Sequence, residues 1–213
     1  MALDPKRRQK QLAKKAARRA KKRASRPHSS GSKNVGVNPM EMAKAISAPI
    51  YESLMPQRLF ELGLGNLVVS RRTADRVAVG VFLVDVFCLG VKDAFFNVIS
   101  LEKYQTLLAS MSREGPYVPL HPTCARKLVE KAVEYARSLR LDPHKGYRLA
   151  KVIFGDLDGN VCPTSFEFGK DGKPLFISGP NDTPKRCRQI LDALSKHCGQ
   201  DGYHYVMTPD QMI

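Results

Sequence analysis

Beyond residue 38 the apolar positions change period several times, and each change marks an element. Val77–Cys88 is apolar on both faces, which predicts a central strand covered on both sides. Leu67–Ser70, also rich in β-branched residues, reads as its hairpin partner across a polar loop, Arg71–Arg76. Leu101–Met111 is helical in spacing. So is Pro122–Leu141, where Leu128, Ala132, Tyr135, Ala136 and Leu139 share a face and Arg126, Lys127, Lys131 and Arg137 fall mostly off it. Pro39–Ile46 and Leu59–Leu64 predict short helices, the second stopped by Gly63 and Gly65. Asp142-Pro143 and Thr183-Pro184 are cap-then-proline starts, predicting helices through Ile153 and Lys196. Phe166–Gly169 and Pro174–Ile177 flank Asp171-Gly172, a strong hairpin signal, and Tyr203–Met207 reads as a terminal strand. Hairpin, helices, hairpin, helix, strand is an α+β order: one mixed globular domain over residues 38–213.

Residues 1–37 follow none of these periods. Thirteen of the 35 Lys and Arg residues lie within Met1–Lys33 against one acid, Asp4, so this stretch carries a formal +12 of the total +15. Leu12, Ala16, Ala20 and Ala24 make a stripe too thin to pack, and like charges around it oppose an isolated helix. The expectation is a basic arm, disordered when free and helical against phosphates, on a Ser/Gly-rich tether that begins at Pro27. Such a block needs a polyanion. Its contacts are expected from Lys6, Arg7, Arg8, Lys10, Lys14, Lys15, Arg18, Arg19, Lys21, Lys22, Arg23 and Arg26.

Within the body, Asp85 is the most informative residue. Strand periodicity puts it on the face of Val81, Leu83 and Phe87, where a carboxylate is kept for an ion pair, a metal, a catalytic role or a backbone cap. Lys92 and Asp93 follow closely, and the three together form the candidate catalytic cluster; a structural salt bridge is the plainer reading. Asp156-Leu157-Asp158-Gly159-Asn160 opens like a calcium loop but lacks the sixth-position glycine, so it reads as a turn. Ser178–Thr183 with Lys185, Arg186 and Arg188 offers a phosphate site, or equally an N-cap beside a solvated basic face.

The five cysteines (Cys88, Cys124, Cys162, Cys187, Cys198) are odd in number and contain no C-x-x-C pair, which predicts reduced thiols in a cytosolic protein. His121 and Cys124 share a ligand-like spacing, with His197-Cys198 as the remote second pair, but neither a resident metal nor a cofactor is expected. The longest apolar stretch, Val77–Leu89, is interrupted by Asp85 and falls short of the roughly 20 residues that span a bilayer.

Val81–Phe95 (VFLVDVFCLGVKDAF), through Asp85, Cys88, Gly90, Lys92 and Asp93, resembles a segment of an uncharacterised family of bacterial proteins. In that family a Pro-His step (here Pro143-His144) and a Gly-Lys-Asp-Gly-Lys-Pro-like hairpin (here Gly169–Pro174) follow. The resemblance spans most of Leu62–Gly179, leaves the arm out and implies a bacterial cytoplasmic protein; no activity comes with it.

Three readings follow. The first is a nucleic-acid-binding accessory protein, cytoplasmic and ribosome-associated, with RNA favoured over DNA as partner and no membrane involved. It rests on the arm, since the body lacks recognition-helix, zinc-finger, zipper, RRM and KH signatures. The second is a hydrolase or nuclease-like enzyme using Asp85, Lys92 and Asp93, with the arm for localisation. The third is a toxin or defence interaction module.

Overall fold

A computed structural model describes residues 39–207. They fall into two compact units, residues 39–169 and residues 170–207, where the sequence pattern runs one body from 38 to 213. The basic arm, residues 1–37, and all its expected contacts lie outside the described residues.

The first unit is built on a five-stranded antiparallel sheet: β1 (Ile50–Pro56), β2 (Leu64–Arg72), β3 (Arg76–Asp85), β4 (Gly90–Ser100) and β5 (Tyr117–Pro119), in spatial order β4-β3-β2-β1-β5. Around it lie α1 (Pro39–Ser47), α2 (Leu59–Leu62), α3 (Leu101–Ser112), α4 (Pro122–Ser138) and α5 (Tyr147–Ala150), which runs on into a 3₁₀ turn, Lys151–Phe154. The fold is α+β.

β3 is an inner strand, between β4 and β2, and is covered on both faces, as its two-sided apolar pattern requires. On one side Val77, Val79, Val81, Val68 and Tyr104 form a buried cluster packed by Leu101, Leu107, Leu108 and Met111 of α3. On the other, Phe82 stacks on Phe154 at 5.3 Å and meets Tyr147 edge-on at 6.4 Å. Gly80 lets this layer approach: a Cβ there would stand 2.7 Å from Ile153 Cγ2. In α4 the buried stripe is Leu128, Val129, Ala132, Val133 and Ala136, and burying Leu128 alone is worth about 2 kcal/mol.

Two strands escape the sequence pattern. β1 lies between Pro49 and Pro56, which sit at its ends and do not break it. β4 carries Lys92, Asp93 and Asn97 and shifts register against β3 between Leu83 and Val84, so its period is blurred. Other expectations need correction. β2 continues through Arg71, which is buried, so the polar loop shrinks to residues 73–75. Strand β3 stops at Asp85, and residues 86–89 form the turn into β4. No helix starts at Pro143. Instead residues 142–144 run along the outer edge of β4, with His144 N–H donating to Val91 O at 2.9 Å, Lys145 and Gly146 form a turn, and the helix begins at Tyr147.

The second unit holds β6 (Leu175–Ile177), α6 (Pro184–Cys198) and β7 (His204–Val206), the two strands pairing in parallel. The Asp171-Gly172 turn is present, both residues at positive φ and bridged by Lys170 and Lys173. The hairpin around it is not: Phe166 stacks on Phe60 at 5.9 Å and Phe168 on Tyr135 at 5.4 Å within the first unit, while β6 finds β7. Thr183 caps α6, its side chain accepting from Arg186 N–H at 3.2 Å, as the cap-then-proline signal requires.

Candidate functional site

The candidate cluster sits where β3 turns into β4. Asp85 and Gly90 face each other across the turn. Asp85 Oδ1 accepts from the N–H groups of Phe87 at 3.0 Å and Cys88 at 2.9 Å, tying the turn from inside. The carboxyl is only 6% exposed. Burial pushes it up to about 6, against the opposing pull of the Lys92 ammonium and the turn's backbone N–H groups. Gly90 is held at φ 64°, and a Cβ there would lie 2.5 Å from Ala132 O, so α4 rests directly on the turn.

Lys92 faces Asp85 electrostatically. Asp93 does not join them: it pairs with Leu83 in the register, and its Oδ1 stands 3.1 Å from His144 Nδ1. That nitrogen also lies 3.2 Å from Gly146 N–H and a long 3.4 Å from Ala94 N–H. A ring protonated only on Nε2 serves the two backbone donors; a doubly protonated ring donates to Asp93 instead. The structure therefore brings Asp85 to Lys92 and Asp93 to His144. The pairing with His144 had no signal in the sequence, because it depends on residues 142–144 running along the edge of β4. An edge strand presents unpaired N–H groups, and this segment covers some of them.

Other polar groups are likewise engaged. Arg71, 8% exposed, donates from Nε to Ile153 O at 2.7 Å, from Nη2 to Phe154 O at 2.9 Å and from Nη1 to Ala48 O at 2.6 Å. It thereby closes the C-terminal ends of the 3₁₀ turn and of α1. Desolvation lowers its guanidinium from the ordinary value, opposed by Asp156. The Tyr104 hydroxyl donates to Glu52 Oε2 at 2.7 Å and lies 2.9 Å from Ser70 Oγ, and burial is the main cause of its raised pKa.

The cysteine expectation is corrected. Cys124 and Cys162 form a disulfide with Cα atoms 5.0 Å apart, while Cys88, Cys187 and Cys198 remain thiols. The loop after Phe154 folds back over the first turns of α4. Arg126 Nη1 donates to the carbonyls of Gly155 and Leu157, and Lys127 Nζ to Cys162 O at 2.7 Å. Those contacts carry Cys162 to Cys124 across 38 positions, a meeting that no local spacing announces. The sulfur of Cys124 is thus unavailable to a His121–Cys124 ligand pair, and His121 Nδ1 meets Thr123 Oγ1 at 2.7 Å. The calcium-like segment is a turn, Asp158 Oδ1 accepting from Asn160 N–H at 2.8 Å. In the second unit, Asp182 and Thr183 take up N–H groups at Gly179 and Arg186, which accounts for the 178–183 loop as a cap.

Among the described residues no helix is long and apolar enough to cross a membrane. No family model, curated protein or solved structure matches the chain.

Proposed function

We propose that this protein is a nucleic-acid-binding accessory protein, acting on RNA rather than DNA in a cytoplasmic, ribosome-associated setting, and gripping phosphates through its N-terminal arm. The observation that carries this is the charge of that arm: thirteen cations and one acid within 33 residues, on a body whose remaining 22 basic and 19 acidic residues nearly cancel. Dense like charge with no apolar face gains nothing by folding onto its own body. It gains by releasing counterions from a polyanion, and folded RNA presents phosphates from several sides. Support from the body is indirect: Asp85, Arg71, Arg126 and Lys127 are each engaged in holding turns and helix ends.

The test is fluorescence anisotropy of full-length protein on a labelled RNA hairpin, across a salt series. If the arm neutralises roughly 6–10 phosphates, affinity falls about 10³–10⁵-fold between 50 and 200 mM salt on a duplex, and less steeply on a single strand. Replacing the arm's Lys and Arg residues by Gln should remove most of that affinity. Equal binding by the Gln variant would overturn the proposal.

A further inference from the structure

Helix α4 changes character along its length. Before Arg137 two of its three cations are paired with acids on the same helix, Arg126 Nε 2.9 Å from Glu130 and Lys131 Nζ 2.6 Å from Glu134, while Lys127 donates to Cys162 O. From Arg137 onward the pairing stops. Arg137, Arg140, Lys145, Arg148 and Lys151 are all exposed, and over residues 137–151 they face a single acid, Asp142. Arg148 and Lys151 are exposed on α5 and its 3₁₀ extension, whose Ala150, Ile153 and Phe154 are buried, and Lys145 stands in the turn that precedes them. At 1.5–2.0 Å rise per residue Arg148 and Lys151 stand roughly 4.5–6 Å apart along the axis. Tyr147 ties this group to the end of α4. Its half-buried ring carries Lys151 Nζ at 5.8 Å and feels the charges of Glu130, Arg137, Arg126 and Glu134, the two glutamates being those already paired with Arg126 and Lys131.

We infer that residues 137–151 form a second phosphate-binding surface, on the folded body, which holds RNA that the arm has captured. This deepens the RNA-binding reading and rests on it. Five cations with one acid among them in the sequence, beside glutamates already paired to other cations, are stabilised by an external polyanion. The same fold shows how such charges are otherwise neutralised, one helical turn earlier. Arg148 and Lys151 lie on a rigid element whose inner side is packed into the core, so binding here loses little side-chain support. That element also sets an aromatic ring among the cations, the combination on which a base stacks beside its phosphate.

The experiment uses the full-length chain with Arg140→Gln, Lys145→Gln, Arg148→Gln and Lys151→Gln combined, beside the arm-neutralised variant, both titrated on the labelled RNA hairpin. Each lost phosphate contact should reduce the slope of log affinity against log salt by roughly 0.7–0.9, so the fourfold variant should be shallower by about 3. An unchanged slope in a folded fourfold variant, with the arm variant losing binding, overturns this surface and leaves the arm reading standing. An arm variant that binds as the wild type does overturns the arm reading itself. If the fourfold variant unfolds by circular dichroism, Lys145→Gln and Arg148→Gln singly carry the test, each expected to flatten the slope by roughly 0.7–0.9. Polyglutamate competing as well as unlabelled RNA would also overturn the assignment, since it would mark a surface for acidic protein.

Discussion

Arg71 reaches from the end of β2 to the carbonyl of Ile153, its Nε donating at 2.7 Å to a residue 82 positions away. Through its other nitrogens it also holds Ala48 and Phe154, so one guanidinium joins the sheet to two helix ends. Its removal leaves buried carbonyls without donors. Arg71→Met should lower the free energy of unfolding by about 3 kcal/mol in urea titrations. Arg71→Lys should recover less than half of that, because an ammonium cannot reproduce the planar fork.

Asp85 predicts a pH dependence with a definite sign. Its folded pKa, about 6, lies above the ordinary 3.8, so the native state holds a proton that the unfolded chain has already released. Stability is therefore greatest below about pH 4 as far as this group is concerned, and falls as pH rises towards 6. The full difference is roughly 3 kcal/mol. Asp85→Asn keeps an oxygen for the Phe87 and Cys88 N–H groups and removes the charge. It should flatten stability between pH 4 and 6 and match or exceed the wild type at pH 7. Asp85→Ala is equally flat with pH but should lie about 1–2 kcal/mol below Asp85→Asn throughout, because the turn's donors are then unmet. A wild-type unfolding curve that rises between pH 4 and 6 would contradict the assignment.

The Cys124–Cys162 bridge closes a loop across 38 positions, for which unfolded-chain entropy gives about 3–4 kcal/mol. Dithiothreitol should lower the melting temperature of the wild type. The Cys124→Ser, Cys162→Ser double variant should melt at the lower temperature and ignore the reductant. Identical melting of oxidised and reduced wild type would show that the bridge contributes nothing.

What the residues reveal before folding divides by range. The caps at Thr183 and the turn at Asp171-Gly172 are local, and each is where its own chemistry puts it. The two-sided cover of β3 was legible because a strand buried on both faces must be apolar on both. The roles that went unread all depend on distant residues. Arg71 looks like loop material until Ile153 and Phe154 arrive to accept its protons. Cys124 and Cys162 carry no shared motif. His144 looks like a helix-start residue, because Asp-Pro opens helices wherever no neighbouring strand competes for the backbone. At Val91 that competition exists, and the sheet wins. For Asp85 the pattern named four possible employments, and the structure adds the turn N–H groups and the Lys92 charge that show one of them, the backbone cap, in use.

The edge segment makes the last prediction. Ala94 N–H points out of β4 toward the imidazole of His144, and Gly146 N–H reaches the same nitrogen at 3.2 Å. Gly146 cannot be enlarged, since a Cβ would stand 2.0 Å from Ala94 O, so the segment is pressed against the strand. In His144→Ala the backbone bond from residue 144 to Val91 O survives, while both N–H groups lose their acceptor. Hydrogen exchange should then separate the two kinds of bond. The amides of Ala94 and Gly146 should exchange about tenfold faster, corresponding to about 1.4 kcal/mol of lost local protection, with residues of β2 and β3 unchanged. His144→Gln, whose side-chain oxygen can accept, should restore part of the protection. Uniform acceleration across the whole sheet would instead mean that His144 supports the global fold and that the edge contact has no local effect of its own.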